Sequence, residues 1–363
     1  MIETPKHIQD LKSYKPGKPI PEIVQEFGLG RTAILWNNEN NFGAAPKALE
    51  AIQNASANSF LYPDPACLQL RGDIAALVGR KTDNIIVGNG SESVFNYILQ
   101  AYFTGDDELL TSEGTFVAIY IWAKAHNVPV VKCPLTKEYG FDLEGILQRI
   151  GPKTKAVYLS NPNNPSGAMI TRDELIQFIE RVPQEVMVLV DEAYFEYAQD
   201  LTEAYPDSTR LDYPNLITLR TFSKAYGIAG IRIGYGVGTP ELIAPLMKVK
   251  LTFEPSNLAQ AAAIGALTDE EFLEKTVANN TRGLRYFYDA FSEMGLNYIP
   301  SFGNFVMIDF ETADRAQALF EALMRKGVFV RQLPAFGLPH CIRITIGTPE
   351  ENEWCVEKLR EVL

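Results

Sequence analysis

The spacing of apolar and polar positions alternates between two periods along most of the chain. Short runs that are apolar at consecutive positions, the mark of strands buried on both faces, fall at Ile85–Gly88, 108–111, 128–133, 156–160, 186–191, 215–221 and 231–236. Helically spaced patterns lie between most of them, including 91–103 and Arg172–Arg181. The alternation predicts an α/β fold, with a mostly parallel seven-stranded sheet between layers of helices. Past Leu267 the pattern changes. A long amphipathic stretch at 270–294 is followed by strand candidates at 304–310, 328–331 and 341–346, with helix candidates at 313–326 and 350–362. That reads as a smaller α+β unit.

The first thirty residues are rich in Pro, Lys and Gly and read as an extended arm with a short helix, expected to pack on the small unit or on a partner subunit. The expected division is a large domain at 31–267, with 1–30 plus 268–363 forming the arm and the small domain. A chain of 363 residues is in any case too long for one simple core.

Composition narrows the partners. With 46% hydrophobic and 21% charged residues the chain reads as an ordinary globular protein. A net charge of −12 argues against nucleic acid or an anionic membrane as the main partner, while leaving room for a local basic pocket. Cys67, Cys133, Cys341 and Cys355 form no CxxC pair, and no Cys/His cluster has zinc spacing, so free thiols and no metal site are expected. His7, His126 and His340 are scattered and read as structural or solvated. The start, MIETPKHIQDLKSYKPGKP, lacks a signal-like apolar stretch and no apolar run reaches membrane-spanning length, so the expected location is the cytoplasm.

Four segments carry candidate chemistry: GNGSES (88–93), NPNNPSG (161–167), VDEAYFEY (190–197) and TFSKAYGIAGIRIGY (221–235). Each stands at or just after the end of a strand candidate, the edge of an open α/β sheet where ligands bind. Lys224 follows two hydroxyl residues, Thr221 and Ser223, and precedes Arg232 by eight positions. An amine can form an imine with an aldehyde, and a guanidinium fork suits phosphate oxygens. A lone lysine is otherwise a solvated charge. Asp191 ends the apolar run VMVLVD. There it is either a turn or cap residue or a carboxylate able to keep a pyridine nitrogen protonated. Tyr194 and Asn164 are placed to bond a phenolate oxygen on the same ring, although Asn164 also suits a plain turn. The glycines of GNGSES let the backbone of Ser91 and Glu92 approach an anion at a helix start. Phe116, in SEGTF, is either a core aromatic or a ring stacked on a ligand.

The order of these segments resembles a fold type I pyridoxal-phosphate enzyme of the aminotransferase class I/II superfamily, and within it the histidinol-phosphate aminotransferase family. The resemblance is carried by NENNFGAAPKAL (38–49), YPDP (62–65), GNGSES, SNPNNPSG, VDEAYFEY, TFSKAYGIAGIRIGY and IRITIGTPEENE (342–353), which span nearly the whole chain. It implies that Lys224 bonds the cofactor aldehyde and shuttles a proton, with Asp191 on the ring nitrogen and Asn164 and Tyr194 on the phenolic oxygen. Ser91 and Glu92 through their N–H groups, Thr221 or Ser223, and Arg232 would hold the phosphate. Tyr62 would reach the phosphate in a neighbouring subunit, implying a homodimer with shared sites. Arg343 would anchor the substrate carboxylate, and Arg331 and Tyr14 would meet its phosphate-bearing end.

The reaction implied is transfer of an amino group between L-histidinol phosphate and 2-oxoglutarate, giving imidazole acetol phosphate and L-glutamate, a step of histidine biosynthesis. The alternatives are an aromatic or broad-specificity aminotransferase, an L-threonine O-3-phosphate decarboxylase, and a non-catalytic cofactor-binding module. Two positions depart from the family pattern: Glu254 in TFEPSNLAQ stands where Asn is common, and Phe116 where Tyr is.

Overall fold

A computed structural model describes residues 2–11 and 18–363. Strand β1 (Ala33–Ile34) precedes the main sheet, whose strands are β2 (Ile85–Gly88), β3 (Glu108–Ser112), β4 (Val130–Cys133), β5 (Thr154–Ser160), β6 (Met187–Asp191), β7 (Leu216–Thr221) and β8 (Gly234–Val237). They lie in the order β2-β8-β7-β6-β5-β3-β4, all parallel except β8, which runs against both of its neighbours. The expected seven-stranded, mostly parallel sheet is present. Alternate side chains feed two cores on its opposite faces. Leu109, Ala156, Tyr158, Leu189 and Ile217 pack on one side, and Leu110, Val157, Leu159, Val188 and Val190 on the other. Both faces are buried, which is why these strands read as continuous apolar runs.

A second, four-stranded sheet is built from β9 (Asn297–Ile299), β10 (Phe305–Asp309), β12 (Arg331–Leu333) and β13 (Leu338–Thr345), in the order β12-β13-β10-β9. Its apolar face packs with helices Glu270–Glu293, Ala313–Arg325 and Pro349–Val362 in a core of its own. The strand expected at 328–331 divides. Its first half, β11 (Val328–Phe329), pairs in parallel with β1, while β12 pairs with β13. One apolar run thus serves two partners, a choice that spacing alone does not encode.

The strand expected at 231–236 starts later, at Gly234, because residues 229–231 form a 3-10 turn and Arg232 is left-handed, with φ of 57°. The arm, expected on the small unit or on a partner subunit, touches both units. Its helix Lys6–Gln9 lies near helix Val117–Ala125 of the large unit, with Lys124 Nζ donating to the Asp10 carbonyl at 2.8 Å. The residues opening helix Ile20–Phe27 face Phe320 and Arg331 of the small unit. All four cysteines are free and buried. No helix among the described residues is long and apolar enough to cross a membrane.

Candidate active site

Parallel strands deliver their C-terminal residues to one edge. Ser160 ends β5 opposite Asp191 at the end of β6, and Thr221 ends β7 opposite Gly234 at the start of β8. Gly88 at the end of β2 also pairs with Gly234. Glycine is required there, since a β-carbon at Gly234 would come within 2.4 Å of the Ser91 nitrogen. The GNGSES turn therefore lies directly over the sheet edge, and helix Ser91–Tyr102 begins at it.

These residues enclose a cavity of about 190 Å³. Ten of the residues singled out in the sequence line it: Ser91, Glu92, Phe116, Asn164, Asp191, Tyr194, Thr221, Ser223, Lys224 and Arg232. Lys224 Nζ donates to the Asn37 carbonyl at 3.1 Å. Enclosure holds its pKa down at about 8, helped by the cations Arg343 and Arg232 and opposed by Glu39 and Asp191. Asp191 accepts from the Tyr158 hydroxyl at 2.7 Å and from the Ala193 N–H at 3.2 Å. Burial nonetheless pushes its carboxyl up to about 6, the sign of a carboxylate short of positive charge. The Tyr194 hydroxyl accepts from Asn38 Nδ2 at 2.8 Å.

One end of the cavity is suited to an anion. Thr221 Oγ1 and Ser223 Oγ are 2.9 Å apart, and the first turn of helix Ser91–Tyr102 opens beside them. Arg232 contributes a guanidinium from its left-handed backbone, a conformation that costs an L residue free energy and is found where a side chain must be aimed. Its nearest carboxylate, Glu92, is 3.7 Å away. A β-carbon on Gly90 would sit 3.0 Å from Arg232 Nη2, and with φ of 83° the position favours glycine on both counts.

Arg343, on β13, is buried just beyond the cavity lining. One Nη donates to Asn164 Oδ1, the other to the Trp36 carbonyl at 2.7 Å, and Nε has no partner among the described residues. Burial lowers its pKa to about 10, with nearby Arg331 adding to the effect. A buried guanidinium with a free N–H and a second cation beside it suits an incoming carboxylate. Since Asn164 Oδ1 is taken, its amide nitrogen is left for the cavity.

Besides Arg343, two of the expected residues that are described do not line this cavity. Arg331 lines an adjoining one with Trp36 and Lys18, and Asn37 belongs to both. Tyr62 is 78% exposed and stacks on Phe253 at 4.1 Å, outside the lining of its own site. Tyr14 lies outside the described residues.

Sequence reasoning gave no role to Asn37, Asn38, Glu39 or Tyr158. Asn38 and Glu39 open a segment that the resemblance had marked, and Asn37 immediately precedes it. Tyr158 carries no signal, because a tyrosine inside a buried strand looks like core until the neighbouring strand brings Asp191 alongside. The fold also gathers Asp309, His340 and Cys341, whose ligand-type atoms lie within 4.8 Å of one another. Tyr139, from the large unit, hydrogen-bonds there to Asp309 at 2.7 Å and to His340 at 3.1 Å.

Known proteins are similar to this chain across nearly its full length. The model of the family "Aminotransferase class I and II" matches residues 33–359. The chain is 40% identical over 362 residues to histidinol-phosphate aminotransferase of Akkermansia muciniphila, covering 99% of this chain and 98% of that one. It is 39% identical over 359 residues to the enzyme of the same name from Moorella thermoacetica, covering 98% and 92%. The crystal structure of histidinol-phosphate aminotransferase from Sinorhizobium meliloti, in complex with pyridoxal-5′-phosphate, superposes with a TM-score of 0.89 at 30% identity, over 100% of this chain and 99% of that one. A Thermus thermophilus aspartate aminotransferase, 22% identical with a TM-score of 0.87, shares the fold.

Proposed function

The chain belongs to the class I and II aminotransferases, and on that footing we propose that it is a pyridoxal-5′-phosphate-dependent histidinol-phosphate aminotransferase. It exchanges an amino group between L-histidinol phosphate and 2-oxoglutarate, yielding imidazole acetol phosphate and L-glutamate. The observation that carries the reading is one cavity in which a lysine of lowered pKa meets a buried, under-compensated carboxylate and an anion-binding end.

The donor set fits the cofactor. Asp191 lacks a cation that a protonated ring nitrogen supplies, and Thr221, Ser223, Arg232 and the N–H groups of Ser91 and Glu92 offer what a phosphate needs. When bound, the cofactor supplies a carbonyl that takes up amino groups and a ring that withdraws electrons from the substrate's Cα. The chain does the rest. Asp191 keeps a proton on the ring nitrogen. Tyr194 and the Asn164 amide would hold the phenolic oxygen, and Phe116 would pack on the ring. Lys224, its free amine about half neutral at pH 8, would hold the cofactor through its aldehyde and would serve as the base that takes and returns the proton at Cα.

Arg343 receives the substrate carboxylate, while Arg331, with Tyr14, serves the phosphate-bearing end. Arginine suits this duty because glutamate presents a carboxylate where histidinol phosphate presents a phosphate. The working unit is a cytoplasmic homodimer in which Tyr62 reaches the partner's phosphate site. Its exposure beside Phe60, Leu61, Leu251 and Phe253 supports that reading, since apolar patches of this kind mark contact surfaces.

Separate half-reactions test the assignment. The holoenzyme is mixed with L-histidinol phosphate, L-glutamate, L-phenylalanine or L-threonine O-3-phosphate, and the cofactor spectrum is followed. Fast conversion to the amino form of the cofactor is expected with the first two. Preference for phenylalanine, or carbon dioxide release from the phosphothreonine, would replace the proposed substrate.

A further inference from the structure

Glu254, the residue that departs from the family pattern, lies outside the cavity lining and is only 8% exposed. Its Oε1 accepts from the Tyr97 hydroxyl and from the Asn89 N–H, the latter at 3.4 Å. Asn89 immediately precedes Gly90, the cap of helix Ser91–Tyr102, and Tyr97 stands on that helix. One carboxylate oxygen therefore ties the phosphate-end turn to the helix that follows it. The backbone of Glu254 is anchored in turn. Lys250 Nζ donates to the Glu254 carbonyl and, at 3.2 Å, to the Pro65 carbonyl.

The turn needs such a tie. It runs from Gly88 through Gly90, and glycines lose more backbone freedom on ordering than other residues. N–H groups that must converge on an anion bind it well only if that ordering is complete beforehand. We propose that Glu254 is a positioning residue that presets the Gly88–Ser91 turn for the cofactor's phosphate. It touches neither cofactor nor substrate and acts through Asn89 and Tyr97. The inference rests on the pyridoxal-5′-phosphate reading above. Its working feature is an acceptor oxygen rather than a charge, because a full negative charge beside an anion site is by itself unfavourable.

The test compares two ligands that share an aldehyde and differ in the phosphate. Cofactor-free, full-length protein is titrated with pyridoxal 5′-phosphate and with pyridoxal, and binding is read by absorbance. Glu254→Ala is expected to weaken the phosphorylated form about tenfold and pyridoxal less than about threefold. Glu254→Gln keeps an acceptor and is expected to leave both within about threefold of the unaltered protein. Equal weakening of both ligands in Glu254→Ala, no weakening, or a Gln variant as impaired as Ala overturns the proposal. Should Glu254→Ala not fold, Glu254→Asp replaces it. Its carboxylate is one methylene short of Asn89, so a phosphate-selective loss of about threefold is expected, and equal loss of both ligands overturns the idea. Unaltered protein that binds pyridoxal as tightly as its phosphate would instead sink the parent reading of the anion end.

Discussion

Asp191→Asn is expected to stabilise the cofactor-free protein while removing most of its activity. The Asp191 side chain is 5% exposed, and burial lifts its pKa from 3.8 to about 6 against the pull of Tyr158, the Ala193 N–H and Lys224. Between those two values the native chain holds more protons than the unfolded one, so stability falls as pH rises through the window and stays lost above it. The cost works out at about 1.5 kcal/mol at pH 5 and about 3 kcal/mol at pH 8. An amide has no charge to desolvate, but one of its two ends becomes a donor and forfeits a hydrogen bond worth about 1 kcal/mol. The net gain is therefore about 2 kcal/mol at pH 8 and about 0.5 kcal/mol at pH 5. Urea unfolding of cofactor-free protein at the two pH values measures it. Turnover should meanwhile fall on the order of a hundredfold or more with cofactor saturating, because an amide cannot hold a proton on the ring nitrogen. A variant less stable than the unaltered protein at pH 8, a stability difference that ignores pH, or near-normal turnover would refute the argument.

Competitive acetylation of the cofactor-free protein should show Lys224 titrating near pH 8, and Arg343→Leu should raise that midpoint because Arg343 is the largest charge holding it down; a midpoint above 10 contradicts both statements. Borohydride reduction of the holoenzyme should leave a pyridoxyl label on Lys224 alone, and a label on another lysine removes the assignment. Arg331→Ala should cost about 1.5–3 kcal/mol of relative specificity for histidinol phosphate over phenylalanine, roughly tenfold to a hundredfold in kcat/KM. Equal losses would take Arg331 out of the phosphate subsite. Mixing Tyr62→Ala with Lys224→Ala subunits should restore activity through hybrids that hold one intact site, and no recovery after subunit exchange argues against a shared site.

The cavity was legible to the extent that its residues sit at strand ends. Asp191, Ser223, Lys224 and Asn164 each follow an apolar run, and parallel strands with both faces covered bring such ends to one edge. The run marks the strand, and its last polar residue marks the mouth. Arg343 is different. It lies inside a strand of the smaller sheet, and only the meeting of that sheet with the large one sets its guanidinium against Asn164 and the Trp36 carbonyl. The roles of Tyr158 and Glu254 were illegible for a related reason, since their partners stand 33 and 157 residues away along the chain.

The sequence by itself determined the local matters: which segments become strands, where the glycines must stand, and which residues could bear an imine, a ring nitrogen and a phosphate. These follow from side-chain period, backbone freedom and functional-group chemistry, all of which act within a few residues. Tertiary structure decided that 328–331 would be shared between two sheets, that Arg331 would face an adjoining cavity, and that Asp191 and Lys224 would titrate far from their usual ranges. Those outcomes depend on burial and on charges supplied by distant segments. Desolvation and Coulomb terms are set by what surrounds a group in space, and that is fixed only once the sheets have packed.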